Sequence, residues 1–180
     1  MASDPTNRET LVLIFGGRSP EHQISCLSAR HLLAAIDSDR FNVFPVGIDK
    51  TGTWSISESA SIAYKTGDFP ETLDPAGPLW EPLDGLAELS SKGPVVVFPL
   101  LHGPMGEDGT IQGLLEIAYV RYVGSGVLVS ALAMDKIATK EMLAHHDLPL
   151  VRYKGIHLSL IHISEPTRRT PISDAVCCVK

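Results

Sequence analysis

Cysteine is scarce in this sequence. The chain has three, Cys26, Cys177 and Cys178, an odd number with no C-x-x-C pair and no spacing that frames a disulfide-stapled domain, which points to a reducing compartment. Positive charge is not in excess either. The formal net charge is −6 and the isoelectric point about 5.6, so nucleic acid and anionic membrane, which select for clustered Lys and Arg, are set aside as partners. No apolar run reaches the roughly 18 residues that crossing a bilayer requires, and the opening MASDPTNRET has no apolar leader segment. A cytoplasmic protein is expected. No repeat of fixed period is visible.

What the chain does have is 44% hydrophobic residues over 180 positions, enough to bury the core of one ordinary domain and part of a second. The run TLVLIF, Thr10 to Phe15, is short, apolar and ended by Gly16 and Gly17, as expected of a parallel strand covered on both faces. A helix follows, with Ser19-Pro20 at its start and Ile24, Leu27, Leu32 and Ala35 on one side. Phe41 to Asp49 reads as the next strand, with Pro45 counting against a central place because proline cannot donate to a ladder. Thr51-Gly52 then turns the chain back. Ser55 to Gly93, rich in Pro, Gly and Ser, reads mostly as loop with at most a small hairpin. PVVVFPLLHG, Pro94 to Gly103, restores the buried-strand signature, and a helix begins near Thr110 with Ile111, Leu114, Leu115 and Ala118. Arg121 to Gly126 is a short strand into a glycine turn, Val127 to His146 holds two helices meeting near Asp135, and Leu150 to Lys154 begins another strand. Strands alternating with helices predict an α/β fold: a Rossmann-like, mainly parallel sheet flanked by helices.

In such a sheet a ligand lies beyond the carboxyl ends of the strands, where the loops Gly16 to Glu21, His102 to Gly109 and Gly124 to Gly126 should converge. FGGRSPE by itself is weak evidence for a nucleotide, since it lacks both G-x-G-x-x-G and the G-K-[ST] of a P-loop. It offers Glu21 in the first turn of a helix, where a carboxylate is favoured by the helix dipole and can receive an ammonium group. An acidic helix-start residue facing solvent is the plainer alternative. HGPMGEDGTIQG, His102 to Gly113, is more specific. Four glycines bracket one His, one Glu and one Asp within twelve positions, so the backbone turns tightly while three ionisable groups gather at a strand's end. A flexible acidic loop is the alternative, and for Asp108 taken singly capping of the next helix is the better account.

FGGRSPEHQIS, GIDKTGTW, LHGPMGEDGTIQGLLE and YVGSGVLVSALAMDK together resemble the amino-terminal part of the D-alanine:D-alanine ligases, members of the ATP-grasp superfamily. The pattern H-G-x-x-G-E-D-G-x-[apolar]-Q-G is matched without departure, and the resemblance runs from Leu11 to His157. It implies a disordered N-terminus over 1–10, a pre-ATP-grasp α/β substrate-binding domain over 11–135, and the start of a truncated ATP-grasp domain over 136–157. It also implies an ATP-dependent carbon–nitrogen ligase that joins two D-alanines for peptidoglycan precursors, through an acyl-phosphate on the first and attack by the second one's amine. Glu21 is then the catalytic-site residue that orients the first D-alanine's ammonium, His102 helps hold the same substrate, and Lys136 of MDK reaches toward the nucleotide phosphates. Spacing alone would leave Lys136 a solvated helix lysine. An amine anchor and a phosphate cation suit a phosphoryl transfer that rests on positioning and charge neutralisation.

The same resemblance names ATP and Mg2+ as cofactors. It places the magnesium carboxylates, the glycine-rich grasp over ATP, the transition-state arginine and the second D-alanine site in later domains, so no metal ligand is assigned here and the chain alone is expected to be inactive. The choice of D-alanine, D-lactate or D-serine as second substrate belongs to those domains too. The family often dimerises through this part, so a homodimer is an expectation. Gln23 is a departure, at a position where family members often carry Glu. Two other readings stand beside this one. A Rossmann-like nucleotide-dependent oxidoreductase or sugar-nucleotide enzyme is counted against by the missing G-x-G-x-x-G, and a non-catalytic small-molecule-binding module is distinguished by ligand titration.

Leu158 to Lys180 continues none of these patterns. Read back into codons, the eleven residues Leu158 to Arg168 resemble the translation of a transposon-based sequencing adapter, and ISDAVCCVK resembles its far end beyond a barcode-length gap. Residues 158–180 are therefore expected to be a non-native tail, in which Cys177, Cys178 and His162 carry no functional reading.

Overall fold

The computed structural model describes residues 8–157 and the backbone of 175–179. The chain runs through β1 (Glu9–Gly16), α1 (His22–Ala35), β2 (Phe41–Ile48), β3 (Trp54–Ile56), α2 (Glu58–Thr66), α3 (Pro82–Lys92), β4 (Val95–Leu100), α4 (Thr110–Ile117) and β5 (Arg121–Tyr122). These strands form one sheet in the order β3-β2-β1-β4-β5, parallel throughout except where β3 runs against β2. The expected α/β architecture with a mainly parallel, helix-flanked sheet is what the fold shows. Glu9 and Thr10, expected within a disordered N-terminus, belong to β1. Their N–H groups donate to Arg40 O and Pro94 O at 3.2 and 3.0 Å, so both flanking strands recruit them.

The period-2 alternation of β1 splits the core between the two faces of the sheet. Val12 and Ile14 join Val46, Val97, Leu86, Ile111 and Leu115 on the face covered by α3 and α4. Leu13 and Phe15 join Cys26, Ala29, Leu33, Ala60 and Ala63 on the face covered by α1 and α2. At about 1.5–3 kcal/mol for each large apolar side chain removed from water, the fully buried run Val12–Phe15 is a major source of stability.

Three details differ from expectation. The inner face of α1 is His22, Ser25, Cys26, Ala29 and Leu33, whereas Ile24 is 54% exposed and Ala35 is exposed. Small and polar residues face inward there because the tight turn before α1 brings its first residues against the strand ends, where hydrogen bonds rather than bulk are needed. Pro45 lies inside β2, opposite Leu13 of β1. It is tolerated because β3 pairs only with Val46–Ile48, leaving that edge of β2 without a strand partner at Pro45. Finally, Ser55 to Gly93 is not mostly loop, since it contains α2, α3 and part of β3. α2 buries only Ala60 and Ala63, which give little hydrophobic periodicity. Its ends are nonetheless marked by Ser57, whose Oγ accepts from Ala60 N–H at 3.1 Å, and by Gly67 at φ +74°.

The described chain divides into two units, one ending at Val127 and one beginning at Leu128. The second holds nearly all of α5 (Val127–Met134), then α6 (Lys136–His145), β6 (Tyr153–His157) and β7 (Ala175–Val179). The division thus precedes the boundary expected between 135 and 136. Asp135 caps α6 by accepting from the N–H groups of Ile137 and Ala138, both at 3.0 Å, and Thr139 Oγ1 donates to Leu132 O at 2.5 Å. The cap and the cross-link fasten α5 to α6. Within the stretch expected to be a non-native tail, Ala175–Val179 pairs in parallel with β6, and the rest of that stretch lies outside the described residues. An apolar AVCCV run has the composition to take up an open strand edge whatever its origin.

Candidate functional site

The site is built where β1 and β4 end side by side. β1 has β2 on one side and β4 on the other, so its carboxyl end opens a crevice at the point where successive connections diverge. Gly16 and Gly17 leave the strand with φ of +91° and +95°. A β-carbon at Gly16 would lie 2.2 Å from Ile48 O, so only glycine fits. The turn is then tied on every side. Gly17 N–H donates to Ile48 O at 2.7 Å, His22 Nδ1 lies 2.7 Å from Gly17 O, and Gly16 N–H donates to Ser25 Oγ at 2.7 Å. The Ser25 hydroxyl in turn donates to Leu100 O at 2.5 Å, joining the ends of β1 and β4. Ser25 and His22 are scaffold residues that the sequence marks only weakly, as two polar residues in a helical stripe with Cys26, Ala29 and Leu33, beside larger apolar residues that dominate the pattern.

Glu21 is the N-cap residue of α1, but its carboxylate makes no capping bond, and its N–H donates to Ser19 Oγ at 3.1 Å. The exposed side chain reaches across to the second loop instead. A β-carbon at Gly103, whose φ is +70°, would fall 2.7 Å from Ser19 Oγ and 2.8 Å from Glu21 Oε2. The carboxylate of the first motif therefore lies against the backbone of the second, next to His102.

His102 follows β4 directly. Its Nδ1 is 3.8 Å from Glu107 Oε1, while its Nε2 is buried and makes no hydrogen bond among the described residues. Glu107 Oε2 accepts the Gly103 N–H at 2.8 Å. Asp108 is a loop fastener, accepting from Met105 N–H at 2.8 Å and Thr110 N–H at 3.0 Å. Burial alone would push its carboxyl up, yet these hydrogen bonds outweigh that and hold it below the usual range. Gln112 Nε2 donates to Gly106 O at 3.0 Å and closes the loop from the helix side.

Between these loops lies a cavity of about 270 Å³, with Arg18, Ser19 and His102 on its wall and Ile48, Trp54 and Leu101 among its apolar lining. Its third wall is Thr51-Gly52 of the β2–β3 turn, and Gly124 to Gly126, expected at this rim, does not line it. That turn is rigid. Asp49 Oδ1 accepts from the Thr51 N–H, the Thr51 hydroxyl and the Thr53 N–H at 2.8, 2.6 and 2.9 Å. The Thr51 hydroxyl and then the Thr53 N–H hold the Asp49 carboxyl down at about 2. Cys26 is no nucleophile here: burial, with the charge of Asp74 adding, pushes its thiol up to about 11.

The Glu21 carboxylate and the His102 loop thus meet at Gly103, and of the two residues only His102 lines the cavity. Lys136 is exposed, the first residue of α6, in the second unit. Among the described residues no group of three or more His, Cys, Asp or Glu side chains is disposed to hold a metal ion. No helix among them is long and apolar enough to cross a membrane.

A mainly parallel sheet with a glycine-turned polar crevice at the ends of two adjacent interior strands defines an α/β domain. Residues 10–125 match the family model described as D-ala D-ala ligase N-terminus, and the chain belongs to that family. It is 46% identical to the D-alanine–D-alanine ligase of Kineococcus radiotolerans, over 83% of this chain and 43% of that protein. With the D-alanine–D-alanine ligase of Mycobacterium tuberculosis the identity is 45%, over 84% of this chain and 45% of the relative. Among solved structures, the D-alanine-D-alanine ligase from Coxiella burnetii superposes with a TM-score of 0.62 at 27% identity, covering 81% of this chain and 43% of that one. The VanG D-Ala:D-Ser ligase from Enterococcus faecalis gives 0.59 at 27%, covering 81% and 44%. The chain spans less than half the length of the relatives it matches.

Proposed function

We propose that this chain supplies the first-amino-acid site of an ATP-dependent D-alanine:D-alanine ligase, the enzyme that makes the D-alanyl-D-alanine unit of peptidoglycan precursors in the cytoplasm. The observation that carries the reading is the convergence of the Glu21 carboxylate and the His102 loop at Gly103. An amino acid's ammonium has three donors and a full positive charge, which the Glu21 carboxylate would match, and the His102 ring adds a nitrogen that has no partner among the described residues. The Gly16-Gly17 turn and the Gly103 turn let backbone approach the bound molecule closely.

In the complete reaction ATP, with Mg2+, supplies the phosphoryl group that activates the first D-alanine's carboxylate. This chain's part is to hold the first D-alanine by its ammonium, keeping the carboxylate oriented outward from the site. Lys136 is proposed as a phosphate-facing cation, and the magnesium ligands and the second amino-acid site are assigned to the remaining length of the enzyme. The family resemblance also favours a homodimer, which sedimentation would test.

Calorimetric titration of the chain with D-alanine tests the central assignment. Glu21→Ala should weaken binding by about 10- to 100-fold, the range for losing a charged hydrogen bond. Equal affinity in the two proteins would refute it. The 180-residue chain is expected to show no ATP- and D-alanine-dependent phosphate release.

A further inference from the structure

An ammonium donates hydrogen bonds and accepts none, so a histidine that meets it must offer a lone pair. Of the two ring nitrogens of His102, Nε2 is the buried one without a hydrogen bond among the described residues, and Nδ1 is the one that faces Glu107. A carboxylate beside one imidazole nitrogen favours the tautomer that carries the proton there. The Glu107 carboxylate is in turn preset by a closed loop. Its Oε2 accepts the Gly103 N–H at 2.8 Å, and the Glu107 N–H donates back to Gly103 O at 2.9 Å. One oxygen is committed to backbone and the other is left to His102, at 3.8 Å, an ion-pair distance that a ring movement of about 1 Å turns into a hydrogen bond.

We propose that Glu107 is a positioning residue that keeps the His102 proton on Nδ1, so that the ring's lone pair is held on Nε2 for the amino acid's ammonium. The second half of this statement rests on the function proposed above, and the first half is a property of the free chain. Glu107→Gln distinguishes it from a merely structural role. The amide has one acceptor and one donor group. With its carbonyl taken by the Gly103 N–H, its NH2 faces Nδ1 and requires a lone pair there, so the ring proton moves to Nε2.

The test is a two-dimensional 1H–15N spectrum of the histidine rings in the 180-residue chain, recorded well above the ordinary histidine pKa of about 6.5. The His102 signal is identified by its loss in His102→Gln. The expected result is an Nδ1–H ring in the wild type and an Nε2–H ring in Glu107→Gln, with the Gly103 amide signal little changed. An Nε2–H ring in the wild type overturns the proposal without any variant having to fold, and the same tautomer in both folded proteins overturns it too. D-alanine added to the same samples should bind about tenfold more weakly to Glu107→Gln. If the wild type keeps the Nδ1–H ring but does not bind D-alanine, the ammonium reading falls and the pairing of Glu107 with His102 is upheld.

Discussion

Gly103→Ala places one methyl group at the point where the two motif loops touch, and its consequences can be worked out in two parts. The first is conformational: at φ +70°, an L-residue pays about 1–2 kcal/mol that glycine does not. The second is local displacement. The new carbon would lie 2.7 Å from Ser19 Oγ and 2.8 Å from Glu21 Oε2, and both must retreat by about 0.7 Å to reach ordinary contact near 3.5 Å. These are ends of rotatable side chains rather than backbone, so the fold survives and the movement falls on the carboxylate. A misplacement approaching 1 Å in a positioned group costs up to about 100-fold, so D-alanine should bind about 10- to 100-fold more weakly. Gly67→Ala is the matched control. Its φ is +74° and no atom lies within 4 Å of the added carbon, so it carries the conformational cost without the displacement. Urea denaturation should show similar losses for the two variants, near 1–2 kcal/mol, while calorimetry with D-alanine should separate them. If Gly103→Ala binds D-alanine as well as Gly67→Ala does, Glu21 is not the anchor.

Two further outcomes follow from the scaffold. Ser25→Ala strips the acceptor from the Gly16 N–H and the donor from Leu100 O, and should lower stability by about 2–4 kcal/mol in urea denaturation; a loss within error of zero would mean the strand ends are not tied there. Asp49 has a folded-state pKa of about 2 against an unfolded value of about 3.9. Its stabilisation is complete above the unfolded value and disappears as pH falls from about 4 to about 2. Asp49→Asn should therefore flatten the acid limb of the stability profile across that window, and superimposable limbs would contradict the assignment.

Much of the architecture is readable from residues. The runs that become β1, β2 and β4 are apolar on both faces because both faces are covered, and the glycines after β1 mark a turn that admits no β-carbon. Ser55 to Gly93 is harder to read because α2 packs with two alanines, and alanine contributes little to a hydrophobic pattern even where it is fully buried. The face of α1 is misleading for the opposite reason: Ile24 points outward, while serine and histidine lie inside with Leu33. At the site, Glu21 and His102 are recognisable as motif residues. The positioning of His102 by Glu107 is not, because it depends on a loop closing back on Gly103 rather than on any spacing.

The bond from Ser25 to Leu100 spans 75 positions of sequence, and β1 finds both its neighbours, β2 and β4, later in the chain. During synthesis the first strand therefore emerges with neither edge covered. It can take up β2 early, but its other edge stays open until β4 has been made. Only then can the serine hydroxyl reach its second partner, and only after the His102 loop has followed can the two motifs meet. Contacts this distant in sequence form slowly, and an exposed hydrophobic central strand is what a nascent chain must protect meanwhile. Substitutions that delay β4, even ones remote from the cavity, should thus reveal themselves first as aggregation during expression rather than as weakened binding.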